Sequence, residues 1–118
     1  MFRMLTCFNL NPENGIAEFQ DVLDQFTARL KERNLLESTG AIGQRQRDTI
    51  MDTDDERDHE YFFLMDFRNR EQCDRSVDFL YRPSDDIDAP HFLLQSMIID
   101  PVFICWQDIG AAKDRERP

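Results

Sequence analysis

Three stretches of this chain are apolar on both sides of an extended backbone. In Tyr61-Phe62-Phe63-Leu64-Met65-Asp66-Phe67, Phe62 and Leu64 point one way and Tyr61, Phe63 and Met65 the other, because side chains alternate along a strand. Val102-Phe103-Ile104-Cys105-Trp106 repeats the arrangement. Residues 2–9 share it, with Phe2, Met4, Thr6 and Phe8 opposite Leu5 and Cys7. Strands of this kind need cover on both faces. The number of helices available to supply that cover decides the architecture.

Helical spacing is found in two long places. Ile16, Phe19, Leu23, Phe26 and Leu30 recur three and four apart, which predicts an amphipathic helix. Asn14 is its expected N-cap, and Asn34 suits a left-handed end. Asn69, with Gln72 three residues later, forms a capping-box pattern opening a second helix, with Cys73, Val77 and Leu80 on its inner face and Pro83 stopping it. A shorter helical segment is expected over Phe92 to Met97, with Pro90 near its first turn. Leu35 to Asp48 reads as a long strand bent at Gly40 and Gly43. Residues 52–58 are nearly all charged and form an exposed connection.

The order is therefore β-α-β-β-α-β, an α+β, ferredoxin-like fold with a four-stranded antiparallel sheet. Residues 1–109 form one domain, and 110–118 a polar tail. The helices cover one face of such a sheet. A second copy of the chain is the simplest cover for the other, so a homodimer is expected.

The 118 residues suit a single domain with a real core. Fourteen Lys and Arg against 24 Asp and Glu give a net charge of −10, which argues against nucleic-acid backbones and anionic lipid as partners. No apolar run approaches the roughly 20 residues of a membrane helix. Met1 to Thr6 lack a stretch of signal-peptide length before Asn9, and Cys7, Cys73 and Cys105 form no C-x-x-C pair. Reduced thiols and a cytoplasmic location are expected.

The element order and doubly apolar strands resemble the dimeric α+β barrel superfamily, in which two ferredoxin-like protomers press their sheets together. The stretches Glu37-Ser38-Thr39-Gly40, Arg45-Gln46-Arg47-Asp48 and Asp52 to Tyr61 resemble more narrowly an uncharacterised family of small bacterial proteins. That narrower resemblance implies no particular activity. The superfamily includes cofactor-free quinol-type monooxygenases, haem-degrading monooxygenases, lactone isomerases and stress-responsive proteins.

Three groups of residues carry candidate chemistry. Arg45 and Arg47 lie two apart and project from one face of a strand, a pair suited to holding a carboxylate or enolate. His59 begins the third strand, where the hairpin brings it towards Asp48 or Arg47 as a general base. Asn9 and Trp106 lie on neighbouring strands. They match two of the asparagine, tryptophan and histidine that haem-degrading members use, leaving His91 as the poor match for the third. Tyr61, His59, Asp66 and Trp106 meet the loose needs of a cofactor-free monooxygenase, an apolar pocket with a few polar groups.

Metal sites find little support. Asp52-x-Asp54-x-Glu56 fails as a calcium loop, because Arg57 stands where glycine is needed and Phe63 where a bidentate glutamate is needed. His59 and His91 have no nearby ligand partner for zinc. No phosphate loop, dinucleotide fingerprint or nucleophile elbow occurs.

The leading expectation is a homodimer with a small-molecule pocket between sheet and helices and with no metal or cofactor. If catalytic, it performs cofactor-free oxygenation or isomerisation, with His59 as base, Arg45 and Arg47 stabilising the anion, Trp106 stacking on the substrate, and Asn9, Tyr61 and Asp66 lining the pocket. The alternative is a non-catalytic dimer whose acidic hairpin, 52–60, docks a protein partner.

Overall fold

The computed structural model describes residues 1–81 and 88–110. In chain order these form β1 (Phe2–Leu10), α1 (Ile16–Glu32), β2 (Ser38–Thr39), β3 (Gly43–Gln44), β4 (Tyr61–Phe67), α2 (Arg70–Leu80), α3 (Asp88–Met97) and β5 (Ile98–Gln107). The expected helix stop at Pro83 and the tail at 111–118 lie outside the described residues.

Periodicity sets α1. Phe19, Leu23, Phe26, Thr27 and Leu30 are buried, and the helix ends before Asn34, whose φ of 60° is the left-handed stop expected of asparagine. The start differs from expectation: Gly15, not Asn14, is the N-cap, and no side chain caps the helix. In α2 the Asn69 side chain accepts from the Gln72 amide at 2.9 Å, as the capping pattern requires. Its buried stripe is Gln72, Cys73 and Ser76, and Val77 turns outward. The third helix is longer than expected, Asp88–Met97 instead of 92–97.

The sheet is antiparallel, in the order β2-β4-β1-β5, with β3 also paired to β4. Ser38 and Thr39 oppose Asp66 and Met65, and Gly43 and Gln44 oppose Phe62 and Tyr61, so both short strands run along one edge of β4. The expected single strand over 35–48 is thus broken in two, giving five strands where four were expected. The break falls between Thr39 and Gly43, just after the Leu64 carbonyl accepts both the Gly40 amide and the Thr39 hydroxyl.

The core lies on the helix side. Phe8, Phe63, Met65 and Phe67 pack under Phe19, Leu23, Phe26, Leu30, Leu94 and Met97. The Phe8 ring centre lies 4.8 Å from that of Phe19, tilted, and 5.7 Å from that of Phe63, edge-on. The opposite face carries Leu5, Cys7, Phe62, Leu64, Val102, Ile104 and Trp106, which the register aligns in rows: Leu64–Leu5–Ile104 and Phe62–Cys7–Val102. Cys7 alone among these is buried, and Ile104 and Trp106 stay 42% and 40% exposed. The helices leave this second apolar face uncovered.

Candidate functional site

Residues 45–60, between β3 and β4, form a folded arm at one end of the uncovered sheet face. Its organiser is Arg45. The guanidinium donates from Nε and one terminal nitrogen to both carboxylate oxygens of Asp52, at 2.7 and 2.8 Å, and also to the carbonyls of Asp54 and Arg57. Bidentate geometry of this kind fixes both partners. The hydrogen bond from Arg45 holds the Asp52 carboxyl below the ordinary carboxylate range. Arg57 binds Asp54 at 2.6 Å and pulls it down to about 2. Arg47 pairs with Glu60.

Two bonds fasten the arm to the sheet. The Glu60 amide donates to Asn9 Oδ1 at 2.8 Å, and His59 Nε2 lies 2.7 Å from the Asp100 carbonyl. The second bond depends on a defect in the β1–β5 ladder. Cys7 opposes Val102 and Asn9 opposes Ile99, so Phe8 faces two residues, Asp100 and Pro101. This is a β-bulge. Asp100 adopts φ 55°, Pro101 has no amide to donate, and the Asp100 carbonyl is free for His59. His59 is only 5% exposed, and its Nδ1 is buried with no hydrogen-bond partner among the described residues.

Beneath the arm is an open hollow of about 460 Å³, lined by Arg45, Gln46, Thr49, Met51, Asp52, Thr53, Asp54, Arg57 and Phe62. Phe62 belongs to the uncovered sheet face, which is where the hollow has its floor. Cys7, beside Phe62 on that face, is only 3% exposed, and Arg57 of the arm lies within electrostatic reach of its thiol. The arm therefore covers this end of the face.

The residues singled out from sequence fall into two groups at opposite ends of the sheet. Arg45, Arg47, Asn9, His59 and Tyr61 gather around the arm. Trp106 opposes Arg3, whereas Asn9 opposes Ile99; six residues along β1 separate them, roughly 20 Å. Asn9 and Trp106 do not share a pocket. Asp66 lies near Trp106's end, bound by Arg3 at 2.6 Å and Ser38 at 2.9 Å, and Arg3 also grips Asp108 through two bonds of 2.9 Å.

The expected anion pair does not form. Arg45 is engaged within the arm, and Arg47 lies against Glu60. Nor is a carboxylate the partner of His59, which meets a backbone carbonyl instead. The expected pocket between sheet and helices is occupied by Phe8, Phe19, Phe63 and their neighbours. Tyr61 packs at 5.7 Å from Phe8 in that cluster. Among the described residues no cluster of histidine, cysteine or carboxylate is arranged to hold a metal ion. No described helix is long and apolar enough to cross a membrane.

Sequence reasoning passed over Gln72 as more than a cap. It is fully buried and bonds the Arg68 amide, the Asn34 carbonyl and Glu37, joining the ends of α1 and β4 to α2. A glutamine on the apolar side of a predicted helix was the signal available.

No family model matches the chain, and no curated protein matches it. Its fold is shared by solved structures of low identity. A protein of Arabidopsis thaliana is 6% identical with a TM-score of 0.68, over 92% of this chain and 95% of that one. An antibiotic biosynthesis monooxygenase is 11% identical with a TM-score of 0.59, over 92% and 99%. A dimeric ferredoxin-like protein of unknown function from Bacteroides fragilis is 12% identical with a TM-score of 0.52, over 91% and 95%. The chain is thus an α+β protein of ferredoxin-like fold, and the likeness is one of fold.

Proposed function

We propose that this chain is a homodimer of the α+β barrel type, formed sheet against sheet, that binds a small organic molecule in the hollow beneath the arm. The observation that carries this reading is the hollow itself, floored by Phe62 at the margin of an apolar sheet face that the helices leave uncovered. Its volume suits a small ligand. The apolar row Leu64–Leu5–Ile104 gives a two-fold interface a self-complementary centre. The Bacteroides fragilis protein of similar fold is dimeric, which supports a dimer here.

Binding fits the site better than proton abstraction. A base must reach the proton it removes. His59 is buried with Nε2 engaged by Asp100, so an oxygenase or isomerase role for it requires the arm to open. A second reading rests on the tip of the arm. Asp52 and Asp54 are paired within it, while Asp55, Glu56 and Asp58 face outward as an acidic patch for a basic protein partner.

Native mass spectrometry of gently purified protein tests both halves of the proposal. A dimer carrying a retained organic molecule supports it. A bare dimer favours the acidic-tip reading, and a monomer at micromolar concentration overturns the sheet-to-sheet assembly.

A further inference from the structure

Phe62 and Leu64 are alternate residues of β4 on the same face, so they stand about 7 Å apart along the strand. One floors the hollow; the other lies in the central row of the uncovered face, level with Leu5 and Ile104. A strand of seven residues is itself roughly 23 Å long. A second sheet centred on Leu5, Leu64 and Ile104 therefore extends past Phe62 and abuts the arm over the hollow.

The lining is balanced in charge. Its two arginines are matched by two aspartates, Arg45 by Asp52 and Arg57 by Asp54. What remains for a ligand is the Phe62 ring, the Met51 thioether, the Thr53 hydroxyl and the spare capacity of the Thr49 hydroxyl and the Gln46 amide, which also bond the Met51 amide and the Gln44 carbonyl. A charged ligand would find no uncompensated partner there. A flat, neutral one bearing hydroxyl or carbonyl groups would find an aromatic floor and polar rims.

We propose that the hollow is half of a site: the sheet face of a second copy supplies its open wall, and the ligand is a flat uncharged molecule with hydroxyl or carbonyl groups. This rests on the dimeric reading above. Ligand capture and dimerisation are then linked, each strengthening the other.

Equilibrium dialysis of naphthol, with naphthoate as the charged comparison, tests this on the full chain alongside sedimentation velocity. The wild type is expected to sediment as a dimer and to take up naphthol more tightly than naphthoate. Ile104→Asp, at an exposed position in the central row, is expected to give a folded monomer whose naphthol affinity falls on the order of tenfold or more. Met51→Arg, on the arm, should keep the dimer and lose the ligand. If Ile104→Asp does not fold, diluting the wild type replaces it, and binding per protomer must fall with the dimer fraction.

A monomeric variant that binds naphthol as tightly as the dimer overturns the shared wall but leaves the dimer standing. A monomeric wild type overturns both. Preference for naphthoate, or no uptake of either probe, overturns the ligand class, and unchanged uptake by Met51→Arg removes the hollow as the site.

Discussion

His59 is joined to Asp100 across 41 residues of sequence by a 2.7 Å hydrogen bond from Nε2 to the backbone carbonyl. A carbonyl only accepts, so His59 Nε2 is the donor of this bond. The bond closes the arm onto β5 at the bulge in the β1–β5 ladder. His59 is thereby the latch of the arm.

Replacing His59 with alanine removes that bond and opens a space in a buried position. A loss of about 1–3 kcal/mol in unfolding free energy is expected, measured by urea titration. Limited proteolysis should show earlier cleavage within 45–60, while the helices stay protected. His59→Gln, which can still offer an N–H to Asp100, should lose less. If alanine and wild type are cut at equal rates, the latch is not His59.

Acid should loosen the same arm. Among the described residues, three carboxyls are held below their ordinary range: Asp52 through Arg45, Asp54 through Arg57, and Asp108 through Arg3. A depressed folded value contributes stability that is present above the unfolded value of about 4 and is lost as pH falls through the folded value. For Asp54 that window runs from about 4 down to about 2. Stability followed by tryptophan emission, Trp106 being the chain's one tryptophan, should decline across this range, and Asp54→Asn should flatten part of the decline. An unchanged slope in the variant would show that the Arg57 pair contributes nothing.

Much of the fold is legible in the sequence because it rests on local patterns. Helical spacing in α1, the stop at Asn34, the Asn69 cap and the two-faced strands each depend on neighbours within a few residues. The broken second strand was only partly legible. Gly40 and Gly43 marked a bend, but not that pairing with β4 would lapse between Thr39 and Gly43 and resume. The site was less legible still. Arg45 and Arg47 looked like a pair because alternate residues share a strand face, yet β3 ends at Gln44 and each arginine turns to its own carboxylate. Adjacent strands suggested that Asn9 and Trp106 meet, but register places them at opposite ends. Asp100-Pro101, inside an otherwise apolar strand, was the readable mark of the bulge that receives His59.

The three thiols report separately on the regions that this arrangement defines. Cys105 is exposed, while Cys7 and Cys73 are buried and none is in a disulfide. Burial pushes Cys73 up to about 11 and raises Cys7 as well, so neither offers much thiolate near neutral pH. One fast-reacting thiol out of three is therefore expected with a disulfide reagent, and Cys105→Ser should abolish that fast phase. Cys7 and Cys73 differ in what protects them. Cys73 sits in the helix-side core, whereas Cys7 lies on the opposite face, within electrostatic reach of the arm's Arg57. Unlatching the arm with His59→Ala in the Cys105→Ser background should speed Cys7 alone, on the order of tenfold for about 1.4 kcal/mol of easier opening. Equal acceleration of Cys73 would mean that the substitution loosens the whole domain, and an unmoved Cys7 would mean that the sheet, not the arm, shields it.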